Sequence, residues 1–274
     1  MATPAAARIA DRRDRDTARP AVQMLSILIP VYNEAATLSS LLERLAKIEF
    51  PVSVELVLVN DGSSDGSTDL LERYAQRPGC RVAHHPRNRG KSAAIRTAMQ
   101  LAQGDVWVIQ DADLEYDPAE LPRLLEPIAR GEADVVYGTR FHAGGERMGM
   151  RADHALANRL LTWLTNRLYG CRLTDMETCY KMARASVFRA LRLEANGFDL
   201  EPEITAKILR RGCAILELPI GFAGRNKRQG KKIGWGDGCS AVWTLFRCRW
   251  QRLAPAAGEL TRAANAGQMG GGQK

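Results

Sequence analysis

From Leu25 onward the chain alternates short apolar runs with apolar stripes at helical spacing. LSILIP (25–30), VELVLV (54–59) and VWVI (106–109) suit buried strands of a parallel sheet, where both faces are covered. Between the first two, Leu38, Leu41, Leu42 and Leu45 mark one face of a helix over 36–46. The same pattern predicts helices over 67–77, 91–102 and 118–130, and strands over 81–84 and 134–137. Strand and helix in alternation build a parallel sheet with right-handed crossovers. After Gly138 the order loosens into a helix over 153–169, a short helix near Ser186, a helix over 202–211 and a strand over 214–218. No internal repeat is visible.

The expected fold class is therefore α/β: one Rossmann-like domain over 24–238, with a mainly parallel central sheet and flanking helices. Residues 1–23 carry five Arg and three Asp among Ala and Pro, without a hydrophobic signal core, and read as a disordered extension. Residues 239–253 read as an amphipathic basic helix, and 254–274 as a disordered tail. No apolar run approaches the roughly 20 residues of a transmembrane helix. The six cysteines form no C-x-x-C pair and join no His cluster, which speaks against a zinc site or disulfide framework and for reduced thiols in a cytosolic setting. The net charge of +8 is uneven: eleven Lys or Arg face two carboxylates between Lys207 and Arg252. Such a patch implies an anionic partner.

Candidate chemistry gathers where strands end, the edge at which open α/β sheets bind ligands. VWVI empties into Gln110-Asp111-Ala112-Asp113-Leu114-Glu115, with carboxylates at alternate positions. Crowded carboxylates are relieved by a hard divalent cation, Mg2+ or Mn2+, which takes oxygen ligands and shares them with substrate phosphates. The plain alternative is a solvated acidic loop. The first strand ends in Pro30-Val31-Tyr32-Asn33-Glu34 and the second in Asn60-Asp61-Gly62-Ser63-Ser64-Asp65-Gly66-Ser67. Asp61 follows the apolar run Leu56 to Val59 and Asn60, so its carboxylate is held at a strand terminus where it can accept from a base or ribose. Arg87-Asn88-Arg89-Gly90-Lys91-Ser92 runs into a helix start that suits an anion. A Walker A loop is excluded because His85 stands where its first glycine belongs. A haloacid-dehalogenase reading lacks the Gly-Thr after its Asp-x-Asp.

PVYNE, NDGSSDGS, NRGKS and QDADLEYDP, in this order, resemble family 2 glycosyltransferases of the GT-A fold over about 25–238. GTRF (138–141), DMETCYKM (175–182), FDLEPEI (198–204) and GKKIGWGDG (230–238) are similar to the dolichyl-phosphate mannose synthase and bacterial polyprenyl-phosphate glycosyltransferase branch. The resemblance implies that Pro30, Tyr32, Glu34 and Asp61 cradle base and ribose, with Lys91, Asp111 and Ala112 near the nucleotide. It implies that Asp113, with Asp111 and Glu115, ligates the metal, and that Arg140 and Lys181 lie beside the phosphates. Arg225, with Arg228 as its competitor, and Lys231 or Lys232 would face an acceptor phosphate. Were the acceptor a neutral hydroxyl, Asp175 or Glu177 would be the base.

The implied activity is metal-dependent, inverting transfer of a hexose from a UDP-glucose or GDP-mannose type donor to a polyprenyl phosphate. A soluble hydroxyl or polysaccharide acceptor is the alternative, and a non-catalytic nucleotide-sugar or membrane-binding module a further one. Apolar residues at Leu156, Leu160, Leu164 and Leu168, and at Trp243, Phe246, Trp250 and Leu253, recur beside arginines, a pattern of interfacial helices. Peripheral contact with an anionic membrane, at its cytoplasmic face, is expected. No recognition module points to nucleic acid, and the four histidines receive no role.

Overall fold

The computed structural model describes residues 20–141, 147–148, 150–195, 197, 199–224 and 235–251. The first half follows the apolar pattern closely: β1 (Met24–Val31), α1 (Ala35–Leu45), β2 (Ser53–Asn60), α2 (Ser67–Ala75), β3 (Cys80–His84), α3 (Lys91–Leu101) and β4 (Val106–Ile109). A 3-10 turn over Pro118–Glu120, capped by Asp117, leads into α4 (Leu121–Ala129), then β5 (Val135–Thr139). Next come β6 (Arg147–Met148), α5 (Ala152–Tyr169), β7 (Lys181–Arg184), α6 (Ala185–Leu191), α7 (Leu200–Arg210), β8 (Leu216–Pro219), β9 (Phe222–Ala223) and α8 (Trp235–Trp250).

The main sheet has the order β3-β2-β1-β4-β7-β5-β8. All its strands run in one direction except β7, which pairs antiparallel with both β4 and β5. The sheet is thus mainly parallel, as expected, with one reversed strand that the sequence pattern did not mark. The sequence Lys-Met-Ala-Arg is short and mixed, and nothing in it marks a strand; neighbours on both sides supply the ladder, and Met182 and Ala183 are buried there. Because β7 returns against the others, it brings Cys179 and Lys181 to the edge where β4 and β5 end.

Leu25, Ile27, Leu28, Val57, Leu58, Val106 and Val108 lie in one core with Leu38, Leu41 and Leu42 of α1. A second, smaller core joins Met176, Ala206 of α7, and Leu245 and Cys248 of α8, with Leu161, Leu164 and Leu168 of α5 packed on it. Helix α8 begins at Trp235 rather than 239 and so crosses the expected boundary at 238. None of the described helices is long and apolar enough to cross a membrane.

Candidate active site

The first two strand-end loops are knitted together. Ser63 Oγ accepts from Asn33 N (3.0 Å), Asn33 Oδ1 from Ser64 N (2.8 Å), Ser67 Oγ from Glu34 N (3.0 Å) and Asp65 Oδ2 from Ala35 N (3.0 Å). Burial alone would raise the Asp65 carboxyl, but its bonds to Ser67 and Ala35 hold it below the ordinary aspartate value. Tyr32 stays exposed at the rim, while Pro30 and Glu34 are half-buried.

The third loop is pressed onto the second. A Cβ at Gly62 would lie 2.5 Å from the backbone carbon of Arg87, and Gly62 also has φ +73°, so only glycine lets the loops meet. Asp61 is buried beneath them: Oδ1 accepts from Arg89 N (2.9 Å) and Oδ2 from Gly90 N (2.7 Å). His85 Nδ1 lies 2.6 Å from Asp61 Oδ1, and its Nε2 lies 2.9 Å from Thr97 Oγ1. Both Asp61 oxygens thus hold the loop that leads into α3. His85, given no role from sequence, is its buried partner.

That loop delivers Lys91 to the end of β4. Its ammonium lies 2.8 Å from Asp111 Oδ1 and 3.0 Å from Oδ2, and also 3.0 Å from Glu201 Oε1. Burial opposes its charge, yet Asp111, Cys179 and Glu201 hold Lys91 well above the ordinary lysine value. Beyond Asp111, Ala112 is buried and the chain turns at Leu114, whose φ is +63°. That turn interrupts the extended alternation between Asp113 and Glu115. Asp113 Oδ1 instead accepts from Glu115 N at 3.1 Å. Among the described residues no three acidic, His or Cys side chains converge to hold a metal without further ligands. The set still fits a hard cation that takes one or two carboxylates and draws its remaining ligands from water and phosphate.

At the end of β5, Arg140 pairs with Asp175: Nε donates to Oδ2 (2.7 Å), Nη2 to Oδ1 (2.8 Å) and the backbone N to Oδ2 (3.0 Å). Asn158 Nδ2 adds a bond to Oδ1 at 2.7 Å. Burial would raise the Asp175 carboxyl, but Arg140 and Asn158 hold it below its ordinary value. A fully bonded, depressed carboxylate is a poor base, so Asp175 positions Arg140 instead. Glu177 is different. Its Oε1 is shut from solvent without a hydrogen-bond partner, and burial, then the Glu201 charge, pushes the carboxyl up to about 8. Lys181 is buried, its Nζ donates to the Met176 carbonyl at 2.6 Å, and burial lowers it to about 8. In this arrangement the ammonium braces the Met176 backbone.

The structure thus joins Lys91, Asp111, Arg140, Asp175 and Glu177 at one sheet edge and adds Glu201, to which sequence reading gave no role. Its only sequence signal was the acidic first turn in FDLEPEI. Arg225, Arg228, Lys231 and Lys232 lie outside the described residues, as do residues 1–19 and Leu253 with the tail after it. Away from this edge, Leu156, Leu160 and Trp163 of α5 and Trp243 and Trp250 of α8 are exposed, Trp163 by 64% and Trp243 by 68%. Phe246 stacks on Trp250 with ring centroids 5.7 Å apart.

The model of the family described as glycosyl transferase family 2 matches residues 26–192. An undecaprenyl-phosphate mannosyltransferase of Micrococcus luteus is 32% identical over 242 residues, 84% of this chain and 98% of that protein. An undecaprenyl-phosphate 4-deoxy-4-formamido-L-arabinose transferase of Edwardsiella ictaluri is 35% identical over 214 residues, 77% of this chain; the match spans only 63% of that longer protein. Among solved structures, glucosyl-3-phosphoglycerate synthase from Mycobacterium tuberculosis, in complex with Mn2+, uridine diphosphate and glucosyl-3-phosphoglycerate, shares the fold with a TM-score of 0.63 at 22% identity, over 83% of this chain and 80% of that one.

Proposed function

The chain belongs to glycosyl transferase family 2 and is a glycosyltransferase of GT-A fold, and from that premise we propose that it moves a hexose from a nucleoside-diphosphate sugar to a polyprenyl phosphate at a membrane surface. The observation that carries this reading is the charge arrangement at the strand ends. Lys91 and Arg140, two cations fixed by carboxylates, flank the acidic loop of β4. A nucleoside diphosphate leaves only if its developing negative charge is met. Asp111 and Asp113 would hold a Mg2+ or Mn2+ ion, which supplies positive charge to the diphosphate.

An acceptor phosphate oxygen is already anionic near neutral pH and needs no strong base. Its oxygen would bond to the anomeric carbon as the bond to the diphosphate breaks, the electron pair leaving with the diphosphate and the configuration inverting. Arg225, Lys231 and Lys232 are the proposed cations for that phosphate. The apolar residues exposed on α5 and α8, beside Arg159, Arg167 and Arg249, suit a lipid surface with anionic headgroups. The Micrococcus luteus undecaprenyl-phosphate mannosyltransferase, matched along nearly its whole length, supports the lipid acceptor. The domain limits are part of the same proposal, with the start of the basic helix moved from 239 to Trp235 and α8 docked on the catalytic unit.

One observation favours a second reading. Glu177, raised to about 8 and with an unpartnered oxygen, would serve as base for a hydroxyl acceptor where it is ionised, at about pH 8 and above. Purified protein given Mg2+ or Mn2+, radiolabelled UDP-glucose or GDP-mannose and undecaprenyl phosphate is expected to move label into organic solvent. Label transferred only to a soluble hydroxyl acceptor would select the second reading. Asp113→Asn is expected to lower turnover at least about a hundredfold, the scale on which removal of a preorganised charge acts. Near-normal rates in that variant would remove Asp113 from the metal.

A further inference from the structure

The Lys91 ammonium covers both oxygens of Asp111, at 2.8 and 3.0 Å, so the carboxylate nearest the end of β4 already holds a cation. A divalent ion that takes that carboxylate competes with the ammonium for its oxygens, because two cations on one carboxylate repel each other at short range. Lys91 therefore needs a second anchor within reach. Glu201 Oε1 already touches the same ammonium at 3.0 Å, and the two side chains are mostly shielded from water. The anchor is rigid relative to Lys91. Ser92 Oγ, in the first turn of α3, donates to the Gly197 carbonyl at 2.8 Å, which ties the start of α3 to the segment entering α7. Thr205 Oγ1 donates to the Glu201 carbonyl at 2.8 Å from one turn further along α7. An ammonium on a flexible stem, with three donors, is suited to changing partners without moving the backbone.

We propose that Glu201 is a positioning residue that holds the Lys91 ammonium when a divalent cation takes Asp111, leaving Lys91 charged and aimed at the donor diphosphate. The inference rests on the metal reading above. It assigns Glu201 an action through Lys91, and not a place among the metal ligands.

Mn2+ binding to the full chain without donor, followed by electron paramagnetic resonance, tests it. Lys91→Met is expected to bind Mn2+ more tightly than wild type, because the competing cation is gone. Glu201→Gln is expected to weaken binding about fivefold to tenfold, the scale of coupling between groups in direct contact. In the Lys91→Met background the same Glu201→Gln change is expected to have little effect. An equal weakening in both backgrounds would overturn the proposal, since Glu201 would then act on the metal directly. Glu201→Asp, which keeps the charge, is expected to restore most of the loss, and circular dichroism of each variant separates a folding defect from a binding one. If Asp113→Asn leaves Mn2+ binding unchanged, the metal reading falls too; if Asp113→Asn weakens binding but the Lys91 and Glu201 changes are independent, only the role of Glu201 falls.

Discussion

Glu177 shows how position within one short string decides chemistry. Asp175 and Glu177 are two residues apart, and either was a candidate base from sequence. Asp175 meets Arg140 and Asn158 and is held low, while Glu177 meets burial and the Glu201 charge and is pushed up to about 8. The folded chain therefore keeps a proton on Glu177 that the unfolded chain, near the ordinary value of 4.5, releases. The stability linked to that proton is fully present below pH 4.5 and is lost as pH rises toward 8. Glu177→Gln has no proton to lose. The melting temperature of wild type is thus expected to fall relative to Glu177→Gln between pH 5 and pH 8, and a constant difference across that range would contradict the assignment. The residue types of the site were legible in the sequence: Lys91, Asp111, Arg140 and Glu177 all lie at the predicted edge. Their pairings were not, because Lys91 with Glu201 and Arg140 with Asp175 are contacts between segments 110 and 35 residues apart.

Helices α5 and α8 carry the case for a membrane surface. The leucines of α5 recur every fourth residue, and a spacing of four overshoots one helical turn, so the stripe winds around the helix. Leu156 and Leu160 accordingly face solvent, whereas Leu164 and Leu168 pack on the second core. A single interfacial stripe along the whole helix, as the sequence suggested, is thus divided between two jobs. On α8, Trp243 and Trp250 face outward while Leu245 and Cys248 face inward. Replacing Trp163 and Trp243 together by Ser is expected to weaken binding to anionic phospholipid vesicles at least about tenfold, since each aromatic side chain can bury on the order of 150–250 Å2. Unchanged sedimentation with vesicles would remove these two tryptophans from the interface. Secondary structure was readable here, and element ends moved by only a few residues. What could not be read was β7, whose pairing depends on β4 and β5 rather than on its own four residues.

At the scale of the molecule, α8 is part of the folded unit. Tyr169 Oη donates to the Leu245 carbonyl at 2.7 Å, Arg249 Nε to the Leu168 carbonyl at 3.2 Å, and Leu245 is fully buried. Leu245→Ala is expected to cost about 2–5 kcal/mol in global stability, as buried leucines do. Tryptophan fluorescence and far-UV circular dichroism should still report one transition in denaturant; a separate early transition of α8 would make it an appendage.

The sequence by itself determined the α/β alternation, the sheet edge that carries the chemistry and the four motifs of the family, because each rests on local apolar periodicity or on residues adjacent in the chain. Tertiary structure alone decided that Asp61 braces a loop, that Lys181 is submerged, that the chain turns at Leu114 with Asp113 accepting from Glu115 N, and that Glu201 meets Lys91. Burial and charge pairing depend on which segments the fold brings within about 3 Å, and a linear pattern does not encode that distance.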